Sequence, residues 1–183
     1  PLILYEFEGC PFCRIAREAV SETGVTVIVR PCPKGGARFR PEVKTKGGKA
    51  QFPYLIDPNT GVSMYESADI ASYLRKTYGG GRARPLVHWL GPFNQILSQF
   101  GVLARFFAGT VTLKSTQNAK PLEFQGAERD PGARLVKERL CSLELDYVWR
   151  PGAGPARLSD PNAGVTIQGG AAVRGHLRKS YAH

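Results

Sequence analysis

The sequence predicts an α/β protein made of two related units, the second shorter than the first. The first observation is an apolar, strand-like run from Leu2 to Phe7, followed at once by a segment with helical spacing. The second is self-similarity, because the opening Pro1-Leu2 returns 120 residues later as Pro121-Leu122. The third is a turn block, LIDPNTGV at residues 55–62, which returns as LSDPNAGV at residues 158–165, an offset of 103.

The first strand of the first unit is followed by a helix and a second strand. The helix is predicted from apolar residues that share one face, namely Phe12, Ile15, Ala16, Ala19 and Val20. Residues 25–29 are mostly β-branched and end at Arg30-Pro31, which predicts the second strand. The Gly-rich, basic stretch from 32 to 49 is expected to contain a poorly formed helix.

The rest of the first unit is predicted to be a β-hairpin and a final helix. The hairpin joins strands at 52–56 and 62–64, because Asp57-Pro58-Asn59-Thr60-Gly61 is a strong turn sequence. The helix, from Glu66 to Tyr78, has acidic residues early and basic residues late, which suits the helix dipole. The predicted order of the first unit is therefore β-α-β-α-β-β-α.

A Cys-x-x-Cys pair stands where the first strand meets the first helix. A thiol at a helix N-terminus faces unpaired N–H groups and the positive end of the dipole, and both lower its pKa. The thiolate is the species that attacks a disulfide. Cys10 is therefore the predicted nucleophile and Cys13 the predicted resolving thiol, with Pro11 suited to the first helical turn. This element order and this position of the pair are typical of the thioredoxin-like fold.

The predicted architecture has three parts. Residues 1–79 form a thioredoxin-like domain, residues 80–120 a basic, aromatic linker with an amphipathic helix, and residues 121–183 a degenerate, truncated thioredoxin-like repeat. The repeat loses the thiols, because Asp130 and Ala133 replace Cys10 and Cys13. The change of offset from 120 to 103 predicts that most of the second helix and the Phe-Pro-Tyr strand segment are missing from it.

Composition limits the function further. The formal net charge of +10 indicates an anionic partner or surface. Four cysteines in 183 residues do not make a disulfide scaffold, and no apolar run reaches the length of about 18 residues that spans a bilayer. A zinc site is not favoured, since Cys32 lies at a suitable distance from the pair but residue 35 is Gly. No metal is therefore expected.

Three motifs of the first unit resemble the glutaredoxin-like, glutathione S-transferase N-terminal domain family. They are Cys10-Pro11-Phe12-Cys13, Phe52-Pro53-Tyr54 and Glu66-Ser67-Ala68-Asp69-Ile70. The arrangement of two such units around a basic linker is similar to the tandem thioredoxin-fold proteins of plant and algal plastids. Nothing after residue 80 has the periodicity of the all-helical domain of a true transferase, so transferase activity is not expected.

The resemblance implies a glutathione site in the first unit. It implies that the Phe52-Pro53 bond is cis, so that the Phe52 backbone faces a bound thiol peptide, and that Glu66 and Ser67 hold the γ-glutamyl end of glutathione. From the residues alone, Ser67 is equally compatible with a plain helix N-cap. The basic residues Lys34, Arg38 and Arg40 are candidates to attract the carboxylates of glutathione, or to form a solvated face.

Two functions follow from these features. The first is a glutathione-dependent thiol–disulfide oxidoreductase, or a glutathione-binding domain, that acts on protein or glutathione mixed disulfides with glutathione as co-substrate. The alternative is a non-catalytic structural or assembly subunit of a larger plastid complex, which docks on a partner or an anionic membrane through residues 82–114. Nucleic acid is not favoured, because no binding motif accompanies the charge. The resemblance places the protein in the chloroplast, in the stroma or at a membrane.

Overall fold

The first half of the chain has the predicted order of elements in a computed structural model, which describes residues 1–80 and 109–183. Its strands are β1 (Leu2–Glu6), β2 (Val27–Pro31), β3 (Tyr54–Asp57) and β4 (Val62–Met64). Its helices are α1 (Pro11–Thr23), α2 (Arg40–Gly47) and α3 (Ser67–Tyr78). Helix α1 ends at Gly24, whose φ of 70° is readily adopted by glycine and lets its N–H donate to the Val20 carbonyl at 3.0 Å.

The second half repeats this order without a counterpart of α2. Its elements are β5 (Leu122–Gln125), α4 (Pro131–Ser142), β6 (Tyr147–Arg150), β7 (Arg157–Asp160), β8 (Val165–Gln168) and α5 (Gly170–Tyr181). The prediction that the second half lacks the strand equivalent to β3 is wrong, because β7 occupies that position. Only the Phe-Pro-Tyr residues are lost there, and Pro155-Ala156-Arg157 stand in their place.

All eight strands form one continuous sheet, in the order β4-β3-β1-β2-β6-β5-β7-β8. The two halves join where β2 and β6 pair antiparallel, with Val27 opposite Trp149 and Ile28 opposite Val148. Since Ile28 and Val148 are equivalent at the offset of 120, equivalent residues pair with each other there. An approximate two-fold axis therefore passes through the β2–β6 pairing.

The apolar core is shared by the two halves. One cluster of buried side chains extends from Leu2, Leu4 and Leu55 in the first half to Phe124 and Trp149 in the second. A smaller cluster packs around α2 and includes Tyr5, Phe39 and Val43. Because Leu4 and Tyr5 are neighbours in β1 and point to opposite faces, α2 covers the face opposite to the main core.

A network of buried charges joins the halves beside the main core. Arg17 contacts the carboxylates of Glu6 and Glu8 from its own half and that of Glu128 from the other, which Lys137 also contacts. None of the five residues is more than 6% exposed. Glu8 and Glu128 are equivalent at the offset of 120, as are Arg17 and Lys137, so the network follows the approximate two-fold axis. We call the β2–β6 pairing and this network the junction.

In each half, a buried aspartate at the end of a strand binds side chains of the last helix. Asp57 accepts hydrogen bonds from the Tyr73 hydroxyl at 2.6 Å and the Tyr78 hydroxyl at 2.5 Å. Its counterpart at the offset of 103, Asp160, contacts His176 at 2.8 Å and accepts from the Tyr181 hydroxyl at 2.8 Å. These contacts fix the last helix of each half on its β-hairpin. The repeated turn block is thus a structural feature.

Two further expectations concern regions other than the sheet. The predicted linker helix and most of the proposed docking segment at 82–114 lie outside the described residues, apart from 109–114. Across the described ranges, 1–80 and 109–183, the structure contains no helix long and apolar enough to cross a bilayer.

Replacing Lys137 with Met should destabilise the protein strongly. The substitution keeps the length of the side chain but removes the cation that lies against Glu128 and over the Trp149 ring. Removing one partner of a buried ion pair costs about 3–5 kcal/mol of unfolding free energy, which urea unfolding would measure. The control is Arg150→Met, since Arg150 pairs with Glu123 at the surface, and we expect a loss below about 1 kcal/mol. Equal losses for the two variants would contradict a stabilising role for the network.

Candidate functional site

Cys10 caps the N-terminus of α1. Its backbone is extended, with φ −84° and ψ 122°, and its Sγ accepts the backbone N–H of Cys13 at 3.3 Å. Pro11 occupies the first turn of the helix, as predicted. The Cys10 N–H donates to the Phe7 carbonyl at 3.0 Å, which closes a tight turn that we call the thiol loop (residues 7–10). Cys10 is 6% exposed and Cys13 is fully buried, so Cys10 is the more accessible sulfur.

The surroundings drive the pKa values of the two thiols in opposite directions. Hydrogen bonds from the Cys13 thiol, and then from the backbone N–H groups of Cys13 and Phe12, lower the pKa of Cys10 despite its burial. Burial raises the pKa of Cys13 well above its ordinary value. Burial likewise raises the pKa values of Cys32 and Cys141, which makes them poor nucleophiles. Cys10 is therefore the cysteine best suited to carry a thiolate.

The Phe-Pro step lies beside the thiol loop. Strands β1 and β3 are antiparallel with Tyr5 opposite Tyr54, so the start of β3 meets the end of β1. The Phe52 and Phe7 rings consequently meet edge to face, with centroids 6.1 Å apart. The Phe52-Pro53 peptide bond is cis, as the resemblance implies.

Glu66 and Ser67 begin α3 at the same end of the sheet. Strand β4 runs antiparallel to β3, so its last residue, Met64, pairs with Leu55, near the start of β3. The residue that precedes the helix is Glu66, with a φ of 68° and no side-chain cap, whereas Ser67 is the first helical residue and is buried. The interpretation of Ser67 as a helix N-cap is therefore wrong. Glu66 accepts a hydrogen bond from the Gln51 amide at 2.7 Å.

The three basic candidates have different environments. Lys34 is exposed. The Arg38 guanidinium is bound by Asp146 at 3.1 Å, Asn118 at 2.8 Å and the Glu144 carbonyl at 2.9 Å, so other parts of the protein already occupy it. Arg40 donates through Nε to the Pro33 carbonyl at 2.7 Å and lies 4.8 Å above the Phe52 ring.

The corresponding place in the second half is closed. Asp130 caps α4 and accepts the Ala133 N–H at 2.6 Å, as Cys10 does for Cys13. The start of α5 presses on the start of α4, because a Cβ on Gly170 would stand 2.9 Å from the Gly132 carbonyl oxygen. At this position the second half therefore has a carboxylate in place of the thiol, and its two helix starts are in close contact.

The second half supports the thiol loop directly, which sequence patterns did not predict. The Gly9 N–H donates to the Gly109 carbonyl at 3.3 Å, and the Glu8 N–H donates to Cys141 Sγ at 3.4 Å. Beneath the loop lies the buried ion network. The repeat in the sequence was the one signal for this network, because Glu8 is repeated as Glu128 and the cation Arg17 is replaced by the cation Lys137.

Comparison with known proteins agrees with this geometry over the first half. Residues 4–82 match the family model of the glutathione S-transferase N-terminal domain. Residues 4–80, the described part of this stretch, form a mixed α/β sheet with helices, consistent with a thioredoxin-like fold. No curated protein matches the chain.

Several solved structures are similar to part of the chain. Unclassified glutathione S-transferase 2 from Bombyx mori is 24% identical over 43% of this chain and 36% of its own, with a TM-score of 0.38. A delta-class glutathione transferase from Nilaparvata lugens is 26% identical over 58% and 46%, with a TM-score of 0.39. Glutaredoxin 2 from Salmonella typhimurium, in complex with glutathione, is 22% identical over 59% and 57%, with a TM-score of 0.38. The chain thus covers less than two thirds of each.

Replacing Glu8 with Gln should make stability less sensitive to pH. Burial raises the pKa of Glu8 from 4.5 to about 7, despite Arg17 and Lys137 and with help from Glu128 and Glu6. Arg17 Nε lies 3.3 Å from Glu8 but is directed at Glu128, and neither Glu8 carboxylate oxygen accepts a hydrogen bond.

The sign follows from the raised pKa. The contribution of Glu8 to the unfolding free energy is fully present below pH 4.5 and is lost as the pH rises through 7. The total loss is about 3 kcal/mol. Urea unfolding from about pH 4.5 to 8.5 should show this loss in the wild type but not in Glu8→Gln. The exposed control Glu123→Gln should follow the wild type. A parallel pH dependence in Glu8→Gln would contradict the raised pKa.

Proposed function

We propose that the protein is a glutathione-dependent thiol–disulfide oxidoreductase, with Cys10 as nucleophile and Cys13 as resolving thiol. The observation that carries this proposal is the position of Cys10 at the N-terminus of α1, where its Sγ accepts the Cys13 N–H at 3.3 Å and its pKa is lowered. The match of residues 4–82 to the glutathione S-transferase N-terminal domain supports glutathione as the co-substrate. The proposed substrates are mixed disulfides between glutathione and protein thiols.

The first step transfers glutathione to Cys10. The Cys10 thiolate attacks the glutathione sulfur of the mixed disulfide, an S–S bond forms between them, and the bond to the protein sulfur breaks. The protein sulfur leaves as a thiolate and takes a proton from water. In the second step the thiolate of another glutathione attacks the sulfur of the Cys10-bound glutathione. Oxidised glutathione leaves, and the Cys10 thiolate is restored.

Cys13 offers a second route for resolution. It loses its proton and attacks Cys10 Sγ, so that glutathione leaves as the thiol and a Cys10–Cys13 disulfide remains, which two further glutathione molecules reduce. Because burial raises the pKa of Cys13, little of it is thiolate near neutral pH. We therefore assign the main flux to the route that uses a second glutathione.

We assign glutathione binding to residues at the same end of the sheet as Cys10. Phe52 would present its backbone to the peptide, next to Pro53. The N–H groups at the start of α3, with Ser67, would receive the γ-glutamyl carboxylate, since a helix N-terminus favours an anion. Glu66, which is exposed, would receive the γ-glutamyl amino group.

Activity should depend on Cys10 far more than on Cys13. The assay is the reduction of a mixed disulfide between glutathione and a cysteine peptide, with glutathione as reductant. Cys10→Ser should reduce the rate to that of glutathione alone, because no other described cysteine carries an accessible thiolate. Cys13→Ser should retain activity within about tenfold of the wild type, since a second glutathione can resolve the intermediate. A Cys10→Ser protein as fast as the wild type would disprove the proposal.

The chloroplast stays a proposed location, on the strength of the resemblance to plastid tandem proteins. We do not propose the structural-subunit alternative, because most of the docking segment on which it depends lies outside the described residues. The thioredoxin-like descent of residues 121–183 is likewise our interpretation. It is supported by the shared order of elements and by the equivalent residues at the junction.

A further inference from the structure

Glu144, in the turn between α4 and β6, binds the loop that leads into α2 of the first half. The backbone N–H of Ala37 donates to its Oε2 at 3.2 Å, and that of Arg38 donates to its Oε1 at 3.1 Å. The carboxylate also fills the space next to Gly36, where a Cβ would collide with it. A carboxylate that accepts two successive N–H groups fixes both the distance and the orientation of the segment.

The backbone of Glu144 is in a conformation that suits glycine. Its φ is 51°, and within the described residues Glu66 is the only other non-glycine residue with a positive φ. The equivalent residue in the first half is Gly24, with a φ of 70°. A glutamate is disfavoured in this conformation, whereas glycine is not. The contacts of its side chain with the loop supply a reason for a glutamate at this position.

The clamped loop continues into residues that touch the thiol loop. Arg38 stacks over the Phe39 ring at 4.5 Å, and Phe39 is the N-cap residue of α2. The next residue, Arg40, lies 4.8 Å above the Phe52 ring and 6.0 Å from that of Phe7. A contiguous set of contacts thus runs from Glu144 in the second half to Phe52 and Phe7 beside Cys10.

We propose that Glu144 is a positioning residue for the thiol site, which holds loop 36–38 so that Arg40 stays stacked on Phe52. The inference rests on the proposed function, in which the Phe52 backbone binds glutathione. It gives the second half a role in the reaction although that half contains no redox cysteine pair. Glu144 itself touches neither thiol, so its effect is on the binding of glutathione and not on the reactivity of Cys10.

The test compares two substitutions of Glu144 with a matched control. Glu144→Gln removes the charge and leaves one oxygen where two N–H groups need acceptors. Glu144→Gly removes the clamp but restores the residue that suits the backbone, as at Gly24. Glu123→Gln is the control, since it removes an exposed carboxylate of the second half that pairs with the surface residue Arg150. Each protein is assayed with glutathione and the glutathione–cysteine peptide disulfide.

We expect the KM for glutathione to rise about 5- to 10-fold in both Glu144 variants, with kcat within about twofold of the wild type. The rate of Cys10 alkylation by iodoacetamide should be unchanged, because the thiolate depends on the N-terminus of α1. The urea midpoint of Glu144→Gly should be no lower than that of Glu144→Gln, so misfolding would not explain its KM.

The possible failures are distinguishable. If both Glu144 variants fold and have the KM of the wild type, the positioning role is wrong and the proposed function stands. The same holds if Glu123→Gln raises the KM equally, because the effect is then one of overall charge. If the wild type itself does not reduce the mixed disulfide, the proposed function is wrong and this inference falls with it.

Discussion

The buried ion network at the junction is the constraint on which the rest of the structure depends. Arg17 and Lys137 are fully buried, and between them they contact three carboxylates contributed by both halves. A charge left in such a place without its partners costs several kcal/mol, so neither half can expose or lose its share of the network cheaply. Two members of the network flank the thiols, since Glu8 lies two residues before Cys10 and Arg17 lies four residues after Cys13. The thiol loop is therefore fixed in a structure that requires the second half.

The same framework carries a thiol at the start of the first helix in one half and a carboxylate in the other. In both, a side chain caps the first helix by accepting an N–H three residues on, a thiol sulfur from Cys10 and a carboxylate oxygen from Asp130. What differs is the approach of the last helix. In the first half that helix begins with Glu66 and Ser67, whereas in the second Gly170 lies against the Gly132 backbone. In the second half, the replacement of the thiol thus occurs together with close contact between the last helix and the first.

Sequence patterns predicted what depends on neighbouring residues. Strand and helix order and Cys10 at the helix start follow from local spacing. The cis bond at Pro53 followed from the resemblance to a known domain family. The patterns could not predict that β2 would pair with β6, because pairing of distant strands has no local signal. For the same reason Arg38 was a candidate for glutathione, although its partners lie more than 75 residues later in the chain, where Asn118 is one of them. Ser67 was misplaced by one residue because the chain turns at Glu66, with a φ of 68°.

The contacts of the second half explain why a unit without the cysteine pair would be retained. If it contributed only apolar burial, its polar contacts with the first half would have no reason to gather near the thiol. These polar contacts are instead made to the thiol loop and to the loop that leads into α2. Cys141 accepts an N–H group of the thiol loop, and Glu144 accepts two N–H groups of loop 36–38. In the segment that precedes β5, the Gly109 carbonyl accepts the Gly9 N–H and the Thr110 carbonyl accepts the Lys34 N–H at 2.6 Å. Backbone N–H groups of loops are not paired by a helix or a sheet ladder, so acceptors from other parts of the fold satisfy them. The second half provides several of those acceptors, so the conformation of both loops depends on contacts with it.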